Sequence, residues 1–430
     1  MSADCEAKTG SAPTAGLAEK IRREAVHLTT HDIRRALKGI PLKAKLALRA
    51  ATLLPHGSLT VQLPDKRVFK VGGNAAGPEA VLILHNWNLP RRALSESTIG
   101  VAETYIDGDW DSPDVTAVLE LFVANETLGY QIVKANHLFR AFNAFRHWMN
   151  RNTRNKAKQN ISAHYDLGNE FYGRWLDPSM TYSSALFADG ANDLESAQAA
   201  KYRALAKATG IGPDDHVLEI GCGWGGFAEF AAREIGCRVT GLTISREQLD
   251  FARERIRRAG LEDRVTFKFQ DYRDEPETYD RVVSIEMFEA VGEQYWPTYF
   301  DKLHDVLKPG GKAGLQIITI NERAFPEYRA NPDFIQRYIF PGGMLPTPQI
   351  LDGLSSDHGL KKFAERVFAQ DYARTLAMWR DRFHESWEQI KPLGFDQRFR
   401  RMWEFYLHYC EAGFREEFID VRQIVYARSG

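Results

Sequence analysis

HVLEIGCGWGGFAEF, residues 216–230, decides how this chain folds. Val217 to Ile220 form a short apolar run of the kind that builds a strand buried on both faces. Gly221, Gly223, Gly225 and Gly226 follow at once, and Phe227, Ala228, Phe230 and Ala231 open an apolar helical face. Strand, glycine turn, helix is the entry to a nucleotide-binding βαβ unit. Glycines suit the turn because a residue without Cβ bends sharply and lets a ligand approach the backbone.

The rest of the second half extends that unit. Strands are expected at Arg238–Leu242, Val265–Gln270, Arg281–Ile285 and Lys312–Ile318, with helices at Glu247–Ala259 and Tyr295–Leu307 between them. Such alternation predicts an α/β fold, a mostly parallel sheet with helices on both faces. Residues 321–348 carry five prolines and break the pattern, as an insertion over a site would. Aromatic-rich helices are expected at Thr375–Glu388 and Phe395–Phe414, and a last strand at Val421–Arg428.

The first half reads differently. Helical patterning runs from Glu19 to Ala50, broken at Pro41. SLTVQLPDKRVFKV (58–71) predicts two strands turned at Pro64-Asp65-Lys66. Val81–Leu84 predicts another strand, Asp107-Gly108 a tight turn, and Val115–Leu128 an amphipathic helix. The expected organisation is a disordered tail (1–18), a small α+β domain (19–139), a basic linker (140–160) and a catalytic domain (161–430). Within 140–159 there are six Lys or Arg residues and no acid. That strip reads either as a solvated linker or as a patch for anionic lipid headgroups.

Composition sets limits. At 430 residues, two or three domains are expected. A net charge of −1 argues against nucleic acid as a partner. The four cysteines form no C-x-x-C pair, which argues against a zinc site or a disulfide framework and for a reducing cytoplasm. No signal peptide or spanning helix is expected, so contact with a membrane should be peripheral, reversible and from the cytoplasmic side.

Several stretches together resemble one family. The order Glu219-x-Gly221-x-Gly223-x-Gly225 resembles the first motif of S-adenosylmethionine (SAM) methyltransferases. HYDLGNEFY (164–172), DPSMTYSSALF (177–187), GLTISREQ (241–248), QDYRD (270–274), MFEAVG (287–292), DFIQRYIFPGGMLP (333–346) and YCEAGF (409–414) resemble the cyclopropane fatty acid synthases and the mycolic acid enzymes related to them. GVAETYIDGDW (100–110) resembles the lipid-carrier-like first domain of the bacterial phospholipid enzymes. The resemblance implies methyl transfer from SAM to a cis double bond of an unsaturated acyl chain in a membrane phospholipid. It implies a carbocation that loses a proton to bound bicarbonate, a peripheral position on the membrane, and a homodimer.

The resemblance also assigns residues. Tyr182 and Ser183 would close over the amino-acid end of SAM, above Glu219, Gly221, Gly223 and Gly225. Thr243 would bind the cofactor, Gln248 would meet the ribose, and Asp271 and Tyr272 the adenine. His164 and Tyr165 would lie on a lid. Bicarbonate would be held by Ser184, Glu289, Gln316, Ile318 and Tyr372. Glu289, Tyr372, Gln316 and Cys410 are the catalytic candidates, although a thiol at Cys410 has no evident part in this chemistry. Three positions depart from the family pattern: Gln316 replaces a histidine, Ala290 another histidine, and Ser184 a cysteine. Gln316 can donate a hydrogen bond to an anion but cannot carry a proton. A cyclopropane is the expected product. The alternatives are a methyl- or methylene-branched chain and a catalytically inert lipid carrier.

Overall fold

The computed structural model describes residues 12–28, 36–73, 75–126, 167–188 and 190–430. The basic segment 140–160 and the pair His164 and Tyr165 lie outside them. The chain forms two compact units. One combines the N-terminal part of the chain with Asp396–Glu416, and the other holds the middle of the chain and Glu417–Gly430.

The first unit is a five-stranded sheet with helices. Its strands are β1 (Val26–His27), β2 (Ser58–Gln62), β3 (Val68–Gly72), β4 (Glu79–Leu84) and β5 (Trp110–Asp111), in spatial order β1-β3-β2-β4-β5. The β2–β3 hairpin turns where the sequence places it. Lys66 takes a positive φ of 71°, and the Leu63 N–H donates to the Arg67 carbonyl at 2.8 Å. A helix begins at Ala12, inside the stretch expected to be an unstructured tail. Its Ala18 and Ile21 are buried against Val68 and Val81, so apolar burial orders part of that tail.

Helix Gln397–Arg415, expected in the catalytic segment, belongs to this first unit. Asp396 caps it, accepting from the Phe399 N–H at 2.7 Å. Thr116 and His408 share a 2.7 Å hydrogen bond, and Arg401 donates to the carbonyls of Tyr105 and Trp110. These long-range partners, with the Tyr105–Phe405 ring contact at 5.6 Å, are not visible in local pattern.

The second unit is a seven-stranded sheet made of β6 (His216–Ile220), β7 (Arg238–Thr243), β8 (Val265–Phe269), β9 (Tyr279–Ile285), β10 (Leu307–Ile320), β11 (Leu360–Val367) and β12 (Ile419–Arg428). The order is β11-β12-β10-β9-β6-β7-β8. The five strands from β10 to β8 are parallel, and β12 runs antiparallel between β10 and β11. Alternate residues feed two cores. Leu218, Val282 and Leu315 pack on one face, and Val217, Val239 and Val283 on the other. Hence these strands read as continuous apolar runs. Strand β11 is an edge strand exposed along most of its length, so it shows no apolar alternation. Strand order reverses at β6, between β7 and β9, and this opens a crevice beyond their carboxyl ends.

Residues 321–348 are tied to the sheet. The Ile320 N–H at the end of β10 donates to the Pro346 carbonyl at 3.0 Å, and the Met344 N–H donates to the Glu289 carbonyl at 2.9 Å. Among the described residues, no helix is long and apolar enough to cross a membrane.

Helix Leu194–Thr209 lies against β10 at Gly314. A Cβ there would stand 2.1 Å from Thr209 Oγ1 and 3.0 Å from Leu205 Cδ1. Gly314→Ala should therefore destabilise the protein by about 1–3 kcal/mol. Gly353, inside helix Pro348–Asp357, has open space around its missing Cβ. Gly353→Ala should be neutral or stabilising by up to about 1 kcal/mol. Urea unfolding of both variants checks the pair; equal midpoints would overturn this account of the helix contact.

Candidate active site

The glycine turn after β6 is clamped to the neighbouring strand. The N–H groups of Gly221 and Cys222 both donate to the Leu242 carbonyl, at 3.0 and 2.9 Å. Gly221, Gly223 and Gly225 have φ of 82°, 51° and 82°, in the region that favours glycine. Their surroundings differ. A Cβ on Gly221 would strike Met287 Cγ at 2.7 Å, and one on Gly225 would crowd Phe267 and Ala252. A Cβ on Gly223 would meet nothing within 4 Å, so this is the open side of the turn. Glu219 is buried at the end of β6, and its Oε2 has no hydrogen-bond partner. Burial pushes its carboxyl well above the usual range, while the Lys201 ammonium pulls it back. An open glycine turn and an unpartnered buried oxygen fit a ligand that brings its own donors, as the amino-acid end of SAM does.

The other expected cofactor residues have defined surroundings of their own. The Tyr182 ring packs among Tyr172, Trp175 and Trp379, with centroids 5.4 to 5.7 Å apart. The Ser183 carbonyl accepts from the Gln198 amide at 2.9 Å, and its Oγ from Lys201 Nζ at 2.7 Å. Thr243 donates to Gln248 Oε1 at 3.0 Å, which orients the Gln248 amide and leaves its NH2 as the donor end. Tyr272 is largely buried, and its hydroxyl has no partner. Asp271 is tied into a bidentate pair with Arg273, at 2.9 and 2.7 Å. Its carboxylate thus has a protein partner where a ligand contact was expected.

The residues expected to hold bicarbonate converge on a side chain that the sequence reading passed over. Glu286 lies just beyond β9 and is partly buried. Its Oε1 accepts from the Ser184 N–H at 2.8 Å and from the Gln316 amide at 2.7 Å. Its Oε2 accepts from the Tyr372 hydroxyl at 2.7 Å. Gln316 is fixed in turn by Gln423, whose Nε2 donates to Gln316 Oε1 at 3.1 Å. Burial pushes the Glu286 carboxyl up; Tyr372, Lys201, Gln316 and Ser184 pull it back. Glu286 has φ +49°, a left-handed conformation that costs a non-glycine residue roughly 1 kcal/mol or more.

A free bicarbonate does not fit this arrangement, because the donors that would meet it already bond to Glu286. That revises the expected anion site. The remaining two members, Glu289 and Ile318, bond to each other: the Ile318 N–H donates to Glu289 Oε1 at 2.6 Å. Glu289 Oε2 is buried without a partner. Burial, and then the Glu286 charge, push the Glu289 carboxyl up to about 8. The sequence offered one signal for Glu286, the two glutamates three apart in IEMFEAVG (285–292). The resemblance assigned a role only to the second.

Lys201 also escaped the reading. It is fully buried, and burial pulls its ammonium down to about 7 against the opposing charges of Glu286, Asp177 and Glu219. Cys410 lies on helix Gln397–Arg415 of the first unit, not in the unit that holds Glu286 and Glu289.

Comparison with known proteins adds the identity of the scaffold. Residues 152–424 match the family model described as mycolic acid cyclopropane synthetase. The chain is 38% identical over 403 residues to a tuberculostearic acid methyltransferase of Mycobacterium tuberculosis, covering 91% of this chain and 93% of the relative. It is 34% identical over 386 residues to the cyclopropane-fatty-acyl-phospholipid synthase of Escherichia coli, covering 86% of this chain and 95% of that one. A solved mycolic acid cyclopropane synthase, complexed with SAH and CTAB, superposes with a TM-score of 0.59 at 28% identity, over 63% of this chain and 98% of its own. With a glycine turn open for SAM at the switch point of its parallel sheet, the chain belongs to the mycolic acid cyclopropane synthetase family and is a SAM-dependent methyltransferase.

Proposed function

We propose that this enzyme methylates a cis double bond in an unsaturated acyl chain of a membrane phospholipid and leaves a methylene branch, with Glu286 as the base. The carrying observation is the Glu286 carboxylate, held by Ser184, Gln316 and Tyr372 where a free anion was expected. When bound, SAM supplies an electrophilic methyl group on a sulfonium. The residues that would hold it are Tyr182, Ser183, Glu219, the glycines of the turn, and Gln248.

An alkene is a weak nucleophile, so alignment supplies much of the rate. Methyl transfer to one alkene carbon leaves a cation on the other. The buried rings of Trp175, Trp379 and Tyr172 exclude water that would quench it. Two outcomes compete. Immediate loss of a proton from the new methyl closes a cyclopropane. A hydride shift first moves the cation onto the methylated carbon, and loss of a proton from the new methyl then gives a methylene branch on the open chain. In both, one proton goes to the base and no oxidant or reductant is used. A saturated methyl branch would need a separate reduction.

The state of the base favours the second outcome. A carboxylate offers about four acceptor positions. Three on Glu286 are taken by protein donors, and charge-assisted bonds of this kind hold an anion back from a proton. Slow proton loss gives the hydride time to move. The 38%-identical relative named as a tuberculostearic acid methyltransferase supports the same reading. Glu289, protonated below about pH 8, adds no second negative charge to the dry pocket.

Three outcomes test this proposal. Expression in a bacterium lacking its own synthase should yield methylene-branched fatty acids by mass spectrometry; cyclopropanes as the main product would overturn the branch reading. Glu286→Gln should cut turnover by about 10²-fold or more while SAM affinity by calorimetry holds. Full activity in that variant would place the base elsewhere. The third outcome concerns pH. Glu289 titrates at about 8 when folded and near the ordinary carboxylate value when unfolded, so the folded state binds the extra proton between those limits. Its contribution to stability is full at low pH and is lost as pH rises towards 8. Between pH 5 and 8, wild type should therefore lose a few kcal/mol relative to Glu289→Gln in urea unfolding. Parallel pH profiles would show that Glu289 is ionised throughout.

A further inference from the structure

Helix Leu42–Ala51 in the first unit has two apolar faces, and only one of them is used by the fold. Ala44 and Leu48 are buried. At about 100° per residue, Leu42, Leu46, Arg49 and Leu53 line up on the opposite side. An ordinary surface helix would place polar residues there. Instead Leu42, Leu46 and Leu53 are 71%, 46% and 57% exposed. Lys43 and Lys45 flank this stripe, one on each side, and Lys38 precedes the helix. Among the described residues, no carboxylate pairs with Lys38, Lys43, Lys45 or Arg49, although ion pairs are frequent elsewhere on this surface. Between Ile33 and Pro64 the sequence holds six Lys or Arg residues and no Asp or Glu.

We infer that helix Leu42–Ala51, with Leu53, is a membrane-docking element that lies in the plane of an anionic phospholipid bilayer. Leucines flanked by cations on one helical face match the interfacial mode of binding: the apolar stripe enters the acyl boundary while the ammonium groups stay with the phosphates. Charge complementarity selects the occupant. A stripe without any acid, bordered by uncommitted cations, attracts an anionic surface and repels a second copy of itself. The choice of a bilayer rests on the phospholipid reading proposed above. Docking would bring the enzyme to acyl chains that do not leave the membrane.

The test uses full-length protein and vesicles that cannot be substrates, so binding is measured apart from catalysis. Vesicles of dimyristoyl phosphatidylglycerol and of dimyristoyl phosphatidylcholine have saturated chains only. Wild type should co-sediment with the anionic vesicles and much less with the zwitterionic ones. The triple variant Leu42→Gln, Leu46→Gln, Leu53→Gln should bind the anionic vesicles at least ~10-fold more weakly. Lys43→Gln with Lys45→Gln and Arg49→Gln should weaken binding at low salt and matter less at high salt. All three leucines are exposed, so SAM affinity and the thermal midpoint should be unchanged in the triple variant. Equal vesicle binding by wild type and the triple variant would overturn the inference, as would a failure of wild type to bind. A lower molecular mass of the triple variant in lipid-free buffer would also overturn it, by assigning the stripe to self-association. The phospholipid reading fails separately, if fatty acid analysis shows no modified chain while wild type still binds vesicles through the leucines.

Discussion

A carboxylate taken out of water must find donors, and Glu286 finds three inside a few ångströms. The cost of burying a charge is large unless it is hydrogen-bonded and compensated. Around Glu286 that requirement organises much of the second unit. Gln316 comes from β10, Tyr372 from helix Ala369–Glu385, and Ser184 from the segment before helix Leu194–Thr209. Lys201 supplies the compensating positive charge, and Gln423 on β12 orients Gln316. Elements far apart in sequence are thus bound to one group. Removing the Tyr372 hydroxyl would leave Glu286 Oε2 without its protein donor.

Glu219 and Glu289 are likewise each raised in pKa by burial. Three carboxyl groups raised by burial, beside one buried lysine, cannot all be charged without cost. The arrangement sorts them by the donors they are given. Glu286, with three protein donors, is the one placed to carry negative charge. Glu289, with one donor and an unpartnered oxygen, keeps its proton. Carboxyl groups with different environments can take different tasks.

Much of this was legible in the sequence, and the reason is periodicity. Strands buried on both faces leave continuous apolar runs, and the glycine turn follows the first of them, so β6 to β10 and the SAM crevice could be read directly. The hairpin at Pro64-Asp65-Lys66 was legible for a similar reason, since local turn chemistry determines it. What escaped depends on distant partners. Strand β11 is exposed and has no apolar rhythm. Helix Gln397–Arg415 shows its amphipathic pattern but not the unit it packs with. Glu286 stands beside a glutamate that a familiar motif already explained, and nothing local reveals that Ser184, Gln316 and Tyr372 point towards it.

The return of the chain has a consequence for how the molecule is made. The segment from Asp396 onward first gives a helix to the first unit and then threads β12 between β10 and β11 of the second. Neither unit is complete until that tail has left the ribosome. The N-terminal unit therefore cannot finish folding ahead of the rest, as an N-terminal domain ordinarily does during synthesis. Until then β10 and β11 have no strand between them, and both units wait on the same final stretch of polypeptide. In this protein the two units share a single completion step.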